Sequence, residues 1–183
     1  MGELYYQCHR GTYTTQARTK RGNRKSELAL REAELWGVAA AALAGFPYPA
    51  AQMDEAWKGV LLNQFHDIIP GSSIHRVYEE TEAAYERIIN TAEEVAGAAA
   101  GTLTDESDAL TVLNSLSWER PLLVALPEGW KAAQNATGEP LPMQEIAGEL
   151  HAEVVAPSCG WTTLRPASAP AQVATTLVAG PRL

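Results

Sequence analysis

The sequence predicts an α+β fragment of more than one domain, in which a three-helix bundle is followed by part of a β-sandwich. Up to about residue 101, apolar residues recur at the spacings of three, four and seven that are typical of amphipathic helices. Beyond that point the apolar runs shorten to strand length and prolines separate them. We therefore place a helical domain at residues 1–101 and the first strands of a truncated β-sandwich at residues 102–183.

The first helix is expected from about Gln16 to Ala44, after an extended or looped segment at residues 1–17. Gly45 and the prolines that follow it end the helix, because proline cannot continue one. The apolar stripe that we predict for the buried face comprises Leu28, Leu35, Val38, Ala39, Ala42 and Leu43.

The second helix is expected from about Ala51 to Ile68, where Pro70 and Gly71 stop it. Its predicted stripe comprises Trp57, Val60, Leu61, Phe65 and Ile68. Ser72 or Ser73 then caps the third helix by accepting a free backbone N–H. The predicted stripe of the third helix comprises Ile74, Val77, Tyr78, Thr81, Tyr85, Ile88, Ala92, Val95, Ala96 and Ala99.

Four short apolar runs after a polar linker at residues 102–108 predict strands, and they are residues 110–113, 122–126, 151–155 and 172–178. The chain ends at Leu183, just after the last of these runs. An open set of four or five strands leaves edges that need partners, so we expect the β region to be incomplete.

Composition and charge exclude several classes of protein. The 183 residues are 46% hydrophobic and 20% charged, far from the composition of disordered chains. A net charge of −8 argues against general nucleic-acid binding. The sequence contains no apolar run of membrane-spanning length and no signal-peptide pattern at its start. Two cysteines are too few for a disulfide framework, so we expect a cytoplasmic protein.

The candidate site with the most specific pattern is His66 with Asp67, within Leu61–Ser73. Histidine is the commonest metal-ligating side chain, and an aspartate can accept hydrogen bonds from a hydroxylated ligand. Adjacent residues of a helix point about 100° apart, so one would bind a metal while the other reaches a substrate. The alternative is a buried His66 that is hydrogen-bonded to backbone, with Asp67 as a surface acid.

A second candidate segment is His9–Gln16. Gly11 permits a close approach of the backbone, and the hydroxyls of Tyr13, Thr14 and Thr15 suit the rim of a polar pocket. The alternative is a purely structural strand or loop. The four histidines, His9, His66, His75 and His151, fall at no recognised ligand spacing, so the chain by itself is not expected to form a complete metal site.

Basic residues are concentrated at the start of the first helix, where half of the 14 lysines and arginines lie between Arg10 and Arg31. Three interpretations are open: a solvated helical face, a nucleic-acid patch, or a face that docks on an acidic partner domain. Aromatic residues that could stack on bases do not alternate with these cations, which weakens the second interpretation.

Several ordered stretches resemble glycoside hydrolase family 38, the class II α-mannosidases, and in particular their bacterial and cytosolic branch. In the helical half these stretches are Glu3–Ala17, Lys20–Arg24, Leu30–Trp36 and Leu61–Ser73. In the second half Asn114–Trp118 and Gly160–Trp161 resemble the start of the family's β-sandwich region. The resemblance implies a fragment that covers the helical middle domain and the beginning of the C-terminal β region.

The resemblance also implies a function. Family members are zinc-dependent retaining enzymes that hydrolyse terminal α-D-mannosidic bonds in oligosaccharides. It assigns His66 as one of four ligands of a single zinc ion and Asp67 as a contact to sugar hydroxyls, with Tyr13 and His9 as further substrate contacts. The nucleophile, which cannot be assigned on this fragment, and the other ligands belong to an N-terminal α/β domain that this sequence lacks. The isolated fragment is therefore expected to be inactive.

The basic helix is then expected to pack on the absent domain or on a second copy of the protein in a homo-oligomer. No nucleic acid and no membrane is expected as a partner. A different class of function remains open: a stand-alone carbohydrate-binding or scaffold module without catalysis. The natural start of the protein would discriminate between the two.

Overall fold

The computed structural model describes residues 11–104, 108–169 and 171, and the chain divides into two compact units, Met1–Thr104 and Asp105–Leu183. In its described part, residues 11–104, the first unit contains three helices, α1 Ala17–Ala44, α2 Ala50–Asn63 and α3 His75–Leu103. The described residues of the second form six strands, β1 Leu110–Asn114, β2 Arg120–Ala125, β3 Ala133–Gln134, β4 Met143–Ile146, β5 Glu149–Ala156 and β6 Gly160–Pro166. The predicted fold class, a helical bundle followed by β-strands, is confirmed.

The helical unit has one apolar core to which all three helices contribute. Leu30 and Ala33 come from α1, Val60 from α2, and Tyr85 and Ile88 from α3. Each large apolar side chain buried in this way contributes roughly 1.5–3 kcal/mol. None of the helices in the described part of the chain is long and apolar enough to cross a membrane.

The predicted stripe of α3 is confirmed along most of its length. Its buried residues are Tyr78, Thr81, Tyr85, Ile88, Ala92, Val95 and Ala99. Ile74 is an exception, since it precedes the helix as its N-cap and its side chain is 71% exposed. The prediction that Ser72 or Ser73 caps α3 was wrong, because the N-cap is Ile74 and it makes no side-chain hydrogen bond. The Ser73 hydroxyl donates instead to the carbonyl of Asp67.

The predicted stripe of α1 was wrong. Leu28, Val38 and Leu43 are exposed, and the buried face comprises Thr19, Ser26, Leu30, Ala33, Trp36, Gly37 and Ala40. The physical reason is that α1 meets its neighbours largely through small residues, which let the backbones approach closely. A pattern that is built on large apolar residues therefore selects the opposite side of this helix.

Helix α2 ends five residues earlier than predicted, at Asn63 rather than Ile68. The Phe65 N–H bonds to the Leu62 carbonyl, three residues back, so the α-helical spacing has already been lost. The predicted stripe is correct at Val60, which is fully buried, but Leu61 and Phe65 are exposed. The residues from 64 to 71 form turns and bends, so the candidate site lies outside the helix.

Between residues 108 and 169, the second unit forms two antiparallel three-stranded sheets, with strand orders β1-β6-β3 and β2-β5-β4. A common core draws Leu164 from the first sheet and Ala152 and Val154 from the second, as expected of a sandwich. Strands β1, β2 and β5 were predicted, whereas β3, β4 and β6 were not. The predicted strand at residues 172–178 lies outside the described residues.

Asn114 fastens the loop after β1 within the second unit. Its Nδ2 donates to the carbonyls of Trp118 and Pro157, each at 2.8 Å, and its Oδ1 accepts from the Leu116 N–H at 3.2 Å. The side chain is buried, so these bonds satisfy groups that would otherwise be costly to remove from water. The asparagine of the Asn114–Trp118 stretch therefore has a structural function.

Gly22 determines how closely α1 approaches α3. A Cβ added there would lie 2.5 Å from Cδ2 and 2.8 Å from Cγ of the buried Tyr85 ring. We predict that Gly22→Ala lowers the free energy of unfolding by about 1–3 kcal/mol, because overpacking outweighs the gain in helix propensity. Urea unfolding followed by circular dichroism measures this.

Gly97→Ala is the matched control for that substitution. Gly97 also lies inside a helix, but a Cβ added there meets nothing within 4 Å. We expect Gly97→Ala to raise the free energy of unfolding by up to about 1 kcal/mol, the difference in helix propensity. Equal effects of the two substitutions would contradict the close contact at Gly22.

Candidate functional site

His66 and Asp67 lie at the centre of a tight turn that follows α2. The carbonyl of Phe65 accepts from the N–H groups of Ile68 and Ile69, at 2.9 and 3.1 Å. These two bonds close a loop around His66 and Asp67. The two side chains therefore extend from a turn, not from the face of a helix.

The side chains of this pair are exposed and point toward each other. His66 is 77% exposed and Asp67 is 60% exposed, and the His66 Nε2 lies 3.6 Å from the Asp67 Oδ2. The Phe65 ring lies beside the imidazole, with 4.2 Å between ring centroids. The expected divergence of about 100° was wrong because it assumed a helix. The buried interpretation of His66 was also wrong, since the imidazole is open to solvent.

Hydrogen bonds of two serines and a tyrosine hold the backbone between Asp67 and the start of α3. The Asp67 carbonyl accepts hydrogen bonds from the hydroxyls of Ser72 and Ser73. The Ser73 N–H in turn donates to the hydroxyl of the buried Tyr78 at 2.8 Å. The turn is thereby connected to the first turn of α3.

Lys20 connects the two candidate segments to each other. Its Nζ donates to the Thr15 carbonyl at 2.6 Å and to the Ile69 carbonyl at 2.9 Å. Burial lowers the pKa of the Lys20 ammonium from its ordinary value of 10.5. Gly71, at φ +102°, packs so closely on Thr15 that an added Cβ would lie 2.2 Å from its Cγ2. The segment before α1 and the His66 turn are therefore neighbours.

Tyr13 lies in a turn just before α1, in which the Gly11 carbonyl accepts from the N–H groups of Thr14 and Thr15. Its ring is 81% exposed. The structural alternative was a strand or a loop; residues 11–16 form turns and bends, so the strand is wrong and the loop agrees with the structure. His9 lies outside the described residues.

A network of polar side chains supports the start of the turn, at Gln64. The Gln64 Nε2 donates to the Asn23 Oδ1 and to the Glu27 Oε1, both at 2.9 Å. The Tyr85 hydroxyl donates to the same Asn23 oxygen at 3.4 Å. Burial, and then the charge of Glu27, raise the pKa of Tyr85 to about 12, so this hydroxyl stays protonated. The network joins the end of α2 to α1 and α3.

Lys20, Asn23 and Gln64 are supporting residues that the sequence analysis did not assign. Lys20 was counted only as part of the basic run, and Asn23 only as part of a stretch that carried the resemblance. The partners of Gln64 on α1 lie 41 and 37 residues away in the chain. Local periodicity carries no signal for such bonds between residues that are distant in sequence.

The other cations of the basic run are mostly spread over an exposed helical face. Arg18 lies 3.6 Å from Glu82 and Arg24 lies 3.5 Å from Glu27, and exposed pairs of this kind contribute little to stability. A groove of about 620 Å³ between α1 and α3 is lined by cations of α1, but also by Glu82 and Glu86. This mixed charge does not favour a nucleic acid.

The donor set of the site is suitable for a metal but too small to hold one alone. Within residues 11–104, 108–169 and 171, no group of three or more His, Cys, Asp and Glu side chains is placed to hold a metal ion. His66 offers an accessible imidazole, which suits zinc, while a zinc site needs at least three protein ligands. His66 therefore fits as one ligand of a site that other residues would complete.

Comparison with known proteins connects this site to one family. The sequence model of the family described as "Alpha mannosidase middle domain" matches residues 7–103. "Alpha-mannosidase 2C1" of Homo sapiens is 42% identical over 132 residues, which is 70% of this chain and 13% of the relative. "Alpha-mannosidase" of Saccharomyces cerevisiae is 38% identical over 125 residues, which is 66% of this chain and 11% of the relative.

A solved structure shows the same fold. A protein in glycosyl hydrolase family 38 from Enterococcus faecalis matches with a TM-score of 0.59 at 19% identity. The match covers 83% of this chain and 23% of that chain. This chain therefore spans only a small part of the length of the proteins that it is similar to.

Substitution of Gly71 tests the close contact between the turn and Thr15. Gly71→Ala places a side chain at positive φ and against Thr15, so we predict a loss of about 2–5 kcal/mol in the free energy of unfolding. Gly45→Ala is the control, since Gly45 has φ +72° and open space around its Cβ position. It should lose only about 1–2 kcal/mol. Losses of equal size in urea unfolding would argue against the contact with Thr15.

Proposed function

The chain belongs to the α-mannosidase middle-domain family, and from this premise we propose that it is part of a zinc-dependent retaining α-mannosidase that hydrolyses terminal α-D-mannosidic bonds in oligosaccharides. The resemblance to glycoside hydrolase family 38 is thereby confirmed at the level of the family. The observation that carries the proposal is the exposed His66–Asp67 pair, which lies on a turn that is hydrogen-bonded to α1 and α3.

His66 is the metal ligand that we propose on this chain. Its imidazole is accessible, and bonds to the carbonyls of Phe65, Asp67 and Ile69 hold the surrounding backbone in place. Such prior organisation matters because a ligand on a mobile loop would bind the metal more weakly. When bound, a zinc ion would supply Lewis-acid polarisation and an anchor for sugar hydroxyls.

Asp67 is proposed as a contact to the sugar and not as the nucleophile. Its carboxylate lies next to the proposed ligand and can accept hydrogen bonds from two neighbouring hydroxyls. Tyr13, whose ring is largely open to solvent, and His9 are proposed as further substrate contacts. Retaining hydrolysis needs one carboxylate as nucleophile and a second carboxyl as acid and base. We place both on another part of the protein.

The missing partner is proposed to be an N-terminal α/β domain that supplies the remaining zinc ligands. Large apolar side chains at Leu61, Leu62 and Phe65 are exposed within five residues of His66. Exposed apolar surface of this kind is typical of a region that another domain covers. The proposal also fits the share of 13% that this chain spans of its human relative.

The division of the chain follows from the same proposal. Residues 1–101 would form the helical middle domain, and residues 102–183 the first strands of a β-sandwich domain. A cytoplasmic location is proposed as well, because the thiol of Cys159 is free and exposed.

The test is hydrolysis of an aryl α-mannoside by the longest natural form of the protein, with zinc content measured alongside. We predict that His66→Ala loses bound zinc and lowers kcat/KM by at least about 100-fold, because one metal ligand is gone and the metal's role in the transition state is lost with it. His75→Ala is the matched control, since His75 is an exposed histidine at the start of α3. It should keep both zinc and activity.

Two outcomes would contradict the proposal. An active protein whose His66→Ala variant keeps its zinc and its turnover would show that His66 has no role in the metal site. A natural form that neither binds zinc nor cleaves the mannoside would instead favour a carbohydrate-binding or scaffold module.

A further inference from the structure

We propose that Lys20 is the positioning residue of the His66–Asp67 turn: it fixes the far end of the turn to α1 and to the segment that carries Tyr13. This inference rests on the proposed function, because it concerns the geometry of the same site. The Lys20 ammonium bonds to two backbone carbonyls and not to the side chain of Asp67 or of Tyr13, so its role is to hold other groups and not to react.

The first argument concerns the acceptors of the hydrogen bonds that the Lys20 ammonium donates. Its Nζ reaches the carbonyls of Thr15 and Ile69, at 2.6 and 2.9 Å, and both acceptors are backbone atoms. An ammonium carries three donors and no acceptor, so it can join two carbonyls that come from different directions. Residues 15 and 69 are far apart in the chain, and Lys20 joins them at one point.

The second argument is that the two ends of the turn are held by different residues. The near end is held by the Gln64 side chain, which bonds to Asn23 and Glu27 of α1. Beyond Ile69 the next residue is Pro70, which has no N–H to donate. Lys20 supplies a charged side-chain bond to this far end, two residues after Asp67.

The third argument is that Lys20 holds both candidate segments at once. Thr15, two residues after Tyr13, is bonded by the same ammonium and packs against Gly71. The relative placement of Tyr13 and of the His66–Asp67 pair therefore depends on this side chain. A displacement of about 1 Å in a site of this kind can cost about 100-fold in rate.

The experiment compares four forms of the longest natural protein: wild type, Lys20→Met, Lys20→Arg and Lys25→Met. Lys20→Met keeps most of the aliphatic chain and removes the donors, while Lys20→Arg keeps charge and donors. Lys25→Met is the matched control, because Lys25 is an exposed lysine on the same helix. Zinc affinity is measured by competition with a chelator, kcat and KM with an aryl α-mannoside, and the order of the turn by amide hydrogen exchange.

We expect Lys20→Met to bind zinc about 10–100-fold more weakly, as is found when residues that orient metal ligands are removed. The loss in kcat/KM should lie mainly in kcat, with faster exchange at Ile68, Ile69 and Gly71 and unchanged exchange in α3. Lys20→Arg should recover zinc affinity to within a few-fold of wild type. Lys25→Met should match wild type in every measurement.

Three results would overturn the proposal. They are equal zinc affinity in Lys20→Met and Lys25→Met, a Lys20→Arg variant as impaired as Lys20→Met, and faster exchange throughout α1 and α3. The last would mean that Lys20 supports the whole bundle and not the turn. Failure of the proposed function is recognised separately, as a wild-type protein without zinc. In that case the exchange at residues 68–71 still tests whether Lys20 holds the turn.

Discussion

The close contact between Gly22 and the ring of Tyr85 determines the spacing between α1 and α3, and the support of the candidate site depends on that spacing. At this distance the Tyr85 hydroxyl reaches Asn23, and the same Asn23 oxygen accepts from Gln64 at the end of α2. A wider separation would remove Tyr85 from this network. The absence of a side chain at Gly22 therefore affects the packing of α1 on α3, the hydrogen bonds of Asn23 and the position of the turn.

The site combines a firmly held backbone with freely accessible side chains. Three alternate carbonyls around His66, at residues 65, 67 and 69, all accept hydrogen bonds, whereas the imidazole and the Asp67 carboxylate are open to solvent. Ordering a turn costs conformational entropy, and the bonds to α1 and α3 offset that cost before any ligand binds. Such an arrangement suits a ligand that is shared with another domain, because the helical unit presents it in a defined position.

The sequence predicted those parts of the fold in which size and periodicity agree. The stripe of α3 is made of large residues at helical spacing, and nearly all of it is buried. In α1 the predicted stripe and the buried face do not coincide, because small residues such as Ala33, Gly37 and Ala40 make up much of the buried face. Strand β3 has only two residues and exists through its pairing with β6, so no local pattern could reveal it. The His66 pair was singled out from its residues and given its roles by the resemblance, but its turn depends on Asn23, Glu27 and Lys20, which are distant in sequence.

The stretch Lys20–Arg24 shows why a charge pattern alone misdescribes this helix. Counted by charge, Lys20 and Lys25 are equivalent members of one basic run. In the structure the Lys20 ammonium donates to two backbone carbonyls, Gly22 packs against Tyr85, and Asn23 accepts from Gln64 and Tyr85. Lys25, in contrast, is exposed. Three neighbouring positions thus make three different contacts, and all three contribute to the placement of the same turn. The basic run is therefore better described as a few supporting residues within an otherwise solvated face, and it is these contacts, not the net charge, that connect α1 to the site.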